Sequence, residues 1–251
     1  MHLSNILALG TEHDGFMESS SIDLAGARPA EFGRRAWQAL RRKGARAAVH
    51  GVVSRFSRWI YRREEHVWYR LSVCPGRDAF ELPEGVRMTR ATVGEVDRVT
   101  ELGQDGRTAR GYHAAGNDLW LTLEGDAALF ACWTFHRQAP VFAAPGGWME
   151  LPAHTVCLED SVTSPAARGR GIAPASWSAI AEVLAADGVD SMITKVETEN
   201  RASRRAVEKA GFETIGVMRL TRRAGRNRTV LQAVDPAHAW ALAERLHPSL
   251  S

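Results

Sequence analysis

The spacing of apolar positions along the chain changes period repeatedly, and each change predicts an element. Residues 1–25 are polar, with the run Glu18-Ser19-Ser20-Ser21, and predict a loose arm. From about 29 to 65, Trp37, Leu40, Phe56, Trp59 and Ile60 recur among arginines at roughly helical spacing, predicting one or two amphipathic helices broken near Gly44 or Gly51. The apolar and aromatic run at 66–74 predicts a short strand, ended by Pro75-Gly76. After Pro83, residues 85–90 alternate apolar and polar like a half-buried strand. Residues 93–102 then take helical spacing behind Thr92 as N-cap. Strands follow at 118–123 and 127–135 around the tight turn Glu124-Gly125-Asp126, then a Pro/Gly-rich stretch at 139–152 and a strand at 155–162. A glycine loop leads to a helix at 174–186, a strand at 191–197, a helix at 202–210, strands at 213–220 and 228–233, and a last helix at 235–246. This order argues for an α/β class with a mixed β-sheet flanked by helices, not an all-parallel one. It divides the chain into an N-terminal extension at 1–82, a main domain at 83–234 and a C-terminal helix at 235–251.

Composition narrows the picture. With 45% hydrophobic and 24% charged residues in 251, the chain can bury a core, so disorder throughout is excluded. No apolar run is long enough for a membrane-spanning helix, and the start lacks a basic segment followed by an apolar one, so no signal peptide is read. Cys74, Cys132 and Cys157 are odd in number and widely spread. No disulfide framework and no metal site are expected, and a cytoplasmic setting is. Residues 28–63 hold ten Arg and one Lys against one Glu, a net of +10 in a chain of +3, which leaves −7 elsewhere. The basic helix is expected to pack on the acidic domain, with an acidic partner or a membrane surface as alternatives. No nucleic-acid motif accompanies it.

The segment richest in chemistry runs from Ser161 to Pro174. A strand enters a loop with Gly169 and Gly171 and passes into a helix whose first amides lack acceptors. Pro174 suits a first turn, and Arg168 and Arg170 add positive charge, so the loop can seat a phosphate or diphosphate. A Walker A run is absent. A dinucleotide fingerprint fails because Pro174 stands where its third glycine belongs.

Arg168-x-x-Gly171-x-Ala173, opening a helix after a strand, resembles the acetyl-CoA diphosphate loop of the GCN5-related N-acetyltransferase (GNAT) superfamily. The stretch Val196-Glu197-Thr198-Glu199-Asn200-Arg201-Ala202-Ser203, with Gly211-Phe212 downstream, is similar to the same family's strand-Asn-helix element. The resemblance covers about residues 83–234. It implies a splayed mixed sheet whose gap takes acyl-CoA, with the backbone of Val162 and Thr163 on the pantetheine arm. It also implies amides of Arg168, Gly169, Arg170, Gly171, Ile172 and Ala173 on the diphosphate, Asn200 facing the pantetheine or thioester, and Ser203 near the arm. As a helix N-cap Asn200 would need no ligand. The activity implied is direct acyl transfer from acetyl-CoA, as cosubstrate, to a primary amine.

An alkylammonium cannot attack a thioester until a base removes a proton. Glu159, just before the loop, is the first candidate, and alternation puts it on one face with Cys157 and Ser161 and puts Asp160 on the other. Glu150 is the second. His136 and His154 are weaker choices, and Cys157 reads as a small buried side chain before a nucleophile. Many members of the family carry a general-acid Tyr where this chain has Val207. The aromatics Trp120, Phe130, Trp133, Phe135, Phe142 and Trp148 suit either a core or a small-molecule pocket. The reading is an N-acetyltransferase of a small-molecule amine. Its alternatives are a degenerate fold sensing acyl-CoA, a longer acyl or carrier-protein donor, and a peptide or lysine acceptor. A homodimer is left open.

Overall fold

The computed structural model describes residues 61–76, 80–223 and 226–246. The expected arm at 1–25 and most of the basic helix lie outside them. Two compact units divide the chain. Of the unit made by residues 1, 9–64 and 220–228, the described parts are the ends of three strands; the other unit contains 65–219 and 229–251 together with 2–8.

Among the described residues ten strands form: β1 (Tyr61–Ser72), β2 (Val86–Arg90), β3 (Asp118–Glu124), β4 (Ala127–Phe135), β5 (Gln138–Pro140), β6 (Trp148–Glu150), β7 (Thr155–Thr163), β8 (Ser191–Glu197), β9 (Glu213–Arg223) and β10 (Arg226–Ala233). Four α-helices accompany them in the same residues: α1 (Gly106–Ala114), α2 (Ile172–Ala186), α3 (Arg201–Lys209) and α4 (Pro236–Leu246). Eight strands make one sheet in the order β10-β9-β1-β8-β7-β4-β3-β2, and β5 pairs with β6 separately. Neighbours are antiparallel at β1·β8, β2·β3, β3·β4 and β4·β7, and parallel at β7·β8. The expected mixed sheet with flanking helices is present.

Several expectations change in detail. The helix expected to reach residue 65 gives way to strand from Tyr61, and the strand expected in the N-terminal extension is an interior strand between β8 and β9. Residues 93–102 form a 3₁₀ helix in place of an α-helix. Thr92 starts it as expected, its N–H donating to Glu95 Oε2 at 2.9 Å, and Gly103 ends it at φ 81°. Helix α1 had no apolar stripe to announce it. Asp105 starts it by accepting the Thr108 amide at 2.8 Å, and Ala109 is its buried residue. The short β5–β6 pair occupies the Pro/Gly-rich stretch.

The core lies on both faces of the sheet. Against α2 and α3 pack Trp120, Phe130, Leu158, Trp177, Val207 and Phe212. Trp177 meets Phe130 and Phe212 edge-on, with centroids 6.0 and 6.2 Å away. On the other face Tyr112 of α1 stands edge-on to Trp133 and Phe135 at 5.4 and 5.0 Å. Among the described residues no helix is long and apolar enough to cross a membrane.

Candidate active site

Strands β7 and β8 run side by side for four residues only. Pairing proceeds from Thr155↔Ser191 to Leu158↔Thr194 and stops there, although β7 continues to Thr163 and β8 to Glu197. The cause lies one residue further along β7. Trp133 pairs with Glu159 but Ala131 pairs with Val162, so Asp160 and Ser161 together oppose Cys132 in a bulge. Asp160 takes a left-handed conformation, φ 49°, and Gln104 Nε2 donates to its carbonyl at 2.5 Å. The bulge bends β7 away from β8 and leaves one edge of its last residues without a strand.

A cavity of about 510 Å³ opens at this divergence. Its wall is β7 at Ser161, Val162 and Thr163, the loop at Arg168, Gly169 and Gly171, and the start of α2 at Ile172, Ala173 and Pro174. Eight of the ten residues expected to hold the donor therefore meet at one cavity: Val162, Thr163, Arg168, Gly169, Gly171, Ile172, Ala173 and Ser203. The other two do not line it. Arg170 turns to Glu124, Nη2 to Oε1 at 2.5 Å. Asn200 caps α3, its Oδ1 accepting the Ser203 amide at 3.1 Å.

The loop is built for open amides. Gly169 and Gly171 have φ of 77° and 76°, and a Cβ at either would meet nothing within 4 Å. Backbone conformation, not crowding, requires glycine there. Arg168 and Arg170 donate back into the loop, each at 3.4 Å, to Pro165 and Ala167. The amides of Gly169, Gly171, Ile172 and Ala173 reach no acceptor among the described residues, and α2 begins with its positive dipole end beside them. The Trp177 indole N–H, also at the cavity, is buried without a partner. These features fit a diphosphate with an extended amide-bearing arm. Sequence reasoning missed Ala202, Arg205, Ala206 and Lys209 of the lining, although their spacing of three, one and three residues is that of one helix face.

On the opposite face the acidic candidates separate. Glu159 is buried and paired with Lys195 Nζ, which also donates to Pro140 O at 3.1 Å and lies 5.8 Å from the Trp68 ring centre. Cys157 Sγ donates to Glu159 Oε1 at 3.4 Å, so these two share a face as expected. Ser161 does not, because the bulge turns it into the cavity. Burial works to lower the Lys195 ammonium, but Glu159, Cys157 and Asp160 outweigh it and hold the group above the ordinary lysine range. Burial pushes the Cys157 thiol well up, with Glu159 adding to it, which suits an inert side chain. Burial raises the Asp160 carboxyl to about 6, with the Glu159 charge adding and Lys195 opposing. Glu150 is exposed on β6, opposite Gln138. His136 is held by Asp118 at 2.8 Å and His154 by the Gly188 carbonyl at 3.0 Å. Val207 is buried in the core beneath α3. Among the described residues no group of three or more His, Cys, Asp and Glu gathers as metal ligands do.

Comparison with known proteins gives a family match over part of the chain. Residues 97–212 match the model described as the acetyltransferase (GNAT) family. No curated protein matches the chain. Among solved structures, a GCN5-related N-acetyltransferase from Sphaerobacter thermophilus is 17% identical with a TM-score of 0.49, covering 73% of this chain and 57% of its own. A GNAT-family protein from Novosphingobium aromaticivorans is 15% identical with a TM-score of 0.46, covering 64% of each chain. The Salmonella typhimurium protein yncA, solved with its cofactor acetyl-CoA, is 17% identical with a TM-score of 0.41, covering 52% of this chain and 80% of its own. The chain thus spans less than two thirds of the first two proteins. The split strands, the bulge and the amide-lined loop all fall inside the matched segment, residues 97–212, over which the chain is similar to the acetyltransferase (GNAT) family.

Proposed function

We propose that the protein is an acetyl-CoA-dependent N-acetyltransferase acting on the primary amine of a small molecule. The observation that carries this reading is the coincidence of open amides and cavity. Gly169, Gly171, Ile172 and Ala173 present unused N–H groups where β7 leaves β8. In this reading those amides hold the diphosphate, the free edge of β7 at Val162 and Thr163 takes the pantetheine arm, and Arg168, Arg205 and Lys209 supply positive charge at the lining. Asn200 keeps the start of α3 in place, and through it Ser203 at the cavity wall. Bound acetyl-CoA supplies the acyl group as an activated thioester. The chain's part is to orient it, exclude water and remove the amine's proton, a task that falls to the acidic residues at the bulge, Glu159 or Asp160. With Val207 where a phenol would otherwise stand, sulfur departs without a side-chain acid from α3, which a thiol's modest basicity permits.

The test has two arms. Calorimetry with acetyl-CoA should give saturable one-to-one binding, and a panel of glucosamine, spermidine and a lysine-containing peptide should release free thiol with at least one amine. Binding without turnover would instead support an acyl-CoA sensor, a reading that the buried Val207 favours. Absence of binding would sink both.

A further inference from the structure

We propose that Asp160, and not the neighbouring Glu159, takes the proton from the acceptor amine; this assignment rests on the acyl-transfer reading above. Glu159 is already committed. Its Oε1 accepts from Lys195 Nζ and from Cys157 Sγ, and the pair is buried, with side chains 9% and 4% exposed. Protonating Glu159 would strip the counter-ion from a buried ammonium that, among the described residues, otherwise donates to the Pro140 carbonyl, a state that is strongly unfavourable in a dry interior. A base that must be protonated and deprotonated in every cycle cannot also neutralise a buried lysine at each moment.

Asp160 has none of these ties. Among the described residues no hydrogen bond or ion pair reaches its carboxyl, and it is partly accessible where Glu159 is buried. It occupies the bulge in a left-handed conformation that an L-residue with a Cβ adopts at a cost of roughly 1–2 kcal/mol. Strain of that kind, at the residue where two strands part, marks a position under functional constraint. Ser161, next in the chain, lines the cavity, and Val162 lies two residues on, about 7 Å along the strand. Asp160 thus stands one residue before the cavity wall, at the point where β7 and β8 part, and its carboxyl belongs to a cluster on the α1 side of the sheet. The charged and titratable groups facing it are Glu159 on its own strand, Lys195 from β8 and Tyr112 from α1. Burial raises the Tyr112 phenol, with Asp160 and Glu159 adding, so it stays a neutral donor across the working range. A carboxyl at about 6 is ionised at neutral pH yet basic enough to accept a proton, the balance a general base needs.

The step closes as follows. The substrate ammonium gives one N–H proton to Asp160. The freed lone pair forms the C–N bond at the acyl carbonyl carbon as the C–S bond breaks. The departing sulfur keeps that bond's electron pair and takes the nitrogen's second proton, giving amide and thiol. Asp160 then returns its proton to water.

Two measurements on the full chain test this. Aspartate-selective ¹³C-carboxyl spectra of the wild type and Asp160→Asn identify the Asp160 signal by difference, and its midpoint should lie near 6. A midpoint in the ordinary range near ~3.9 overturns the assignment. With the amine that works best in the panel, wild-type kcat/KM should rise with pH through a limb near 6. Asp160→Asn should lower it by about 10²-fold, erase that limb and leave the calorimetric affinity for acetyl-CoA unchanged. If Asp160→Asn keeps the limb, or Glu159→Gln alone removes it, the assignment fails while the acyltransfer reading stands. If no amine releases thiol from the wild type, both fall together.

Discussion

Three residues in a row on β7 do different work because one of them breaks alternation. Glu159 faces the lysine, Asp160 sits in the bulge, and Ser161 enters the cavity. The raised carboxyl of Asp160 has a thermodynamic cost that can be measured. Below the unfolded value of 3.8 both states hold the proton and nothing is lost. As pH climbs from 3.8 to about 6 the unfolded chain ionises first, so stability falls across that window and is level above it. Asp160→Asn should therefore be more stable than wild type at pH 7.5, by about 3 kcal/mol, with most of the gain gone near pH 4. Chemical denaturation at the two pH values reads it, and an equal gain at both would contradict the assigned shift. Lys195 behaves oppositely to an unpaired group. Its folded value is raised, so its stabilisation is present at all pH values below the unfolded lysine range and is lost only as pH rises through the higher folded value. Lys195→Met should destabilise by about 3–5 kcal/mol at pH 7, because Glu159 is left buried and charged, and adding Glu159→Leu should recover most of that. Gly171→Ala acts through the backbone alone. Its Cβ would meet open space, but φ of 76° costs roughly 1–2 kcal/mol, and relaxing it would turn the loop's amides aside. Acetyl-CoA affinity should drop about tenfold by calorimetry, for a change near ~1.4 kcal/mol in binding.

At the scale of elements, the readable ones had period and punctuation in their own residues. The β3–β4 hairpin was legible because two apolar strands flank Gly125-Asp126, and the register Glu124↔Ala127 follows from that turn. The glycine loop was legible for a similar reason: glycine spacing after a strand and a helix start is local information. Helix α1 was not, because its residues Gly106-Arg107-Thr108-Ala109-Arg110-Gly111-Tyr112-His113-Ala114 carry two glycines and a single fully buried side chain. Its existence depends on the Asp105 cap and on Tyr112 lying against Trp133 and Phe135, and the second of these is a contact across the fold. The bulge was equally invisible, since it consists of a mismatch between β7 and β4 and not of any residue type in β7. That mismatch overturned the expected alternation at Ser161 and singled out Asp160. Asp105→Ala should cost about 1 kcal/mol by loss of the cap. Because α1 carries Tyr112 to the acidic cluster, the same variant should also perturb the Asp160 carboxyl signal, whereas a substitution confined to stability would leave it in place.

For the whole molecule, the boundary placed at residue 83 followed a change of pattern and the start of the family resemblance, and both are properties of the chain read locally. Sheet order is not local. Strand β1 arrives from the segment before that boundary and takes an interior place between β8 and β9, with its pairing to β8 running from His66↔Glu197 to Ser72↔Ser191. It brings Val67, Tyr69 and Leu71 to the core on the helical face, and Trp68 to the face of Lys195 and Glu159. Tyr69 reaches α3 as well, donating to Glu208 at 3.1 Å and accepting from Arg204 at 3.0 Å, so β1 also steadies the helix whose other face lines the cavity. A chain begun at residue 83 would expose the edges of β8 and β9 and empty the space of four large side chains, each worth roughly 1.5–3 kcal/mol in burial alone. That total, roughly 6–12 kcal/mol, is comparable to the whole stability of an ordinary domain, about 5–15 kcal/mol, so marginal collapse and association are the expected result in place of a clean native state. Restoring residues 61–82 should return cooperative unfolding and acetyl-CoA binding together. A soluble, cooperatively folding fragment from 83 onward that still binds acetyl-CoA would mean that β1 is an accessory to the sheet and that the sheet closes by pairing β8 with β9 directly.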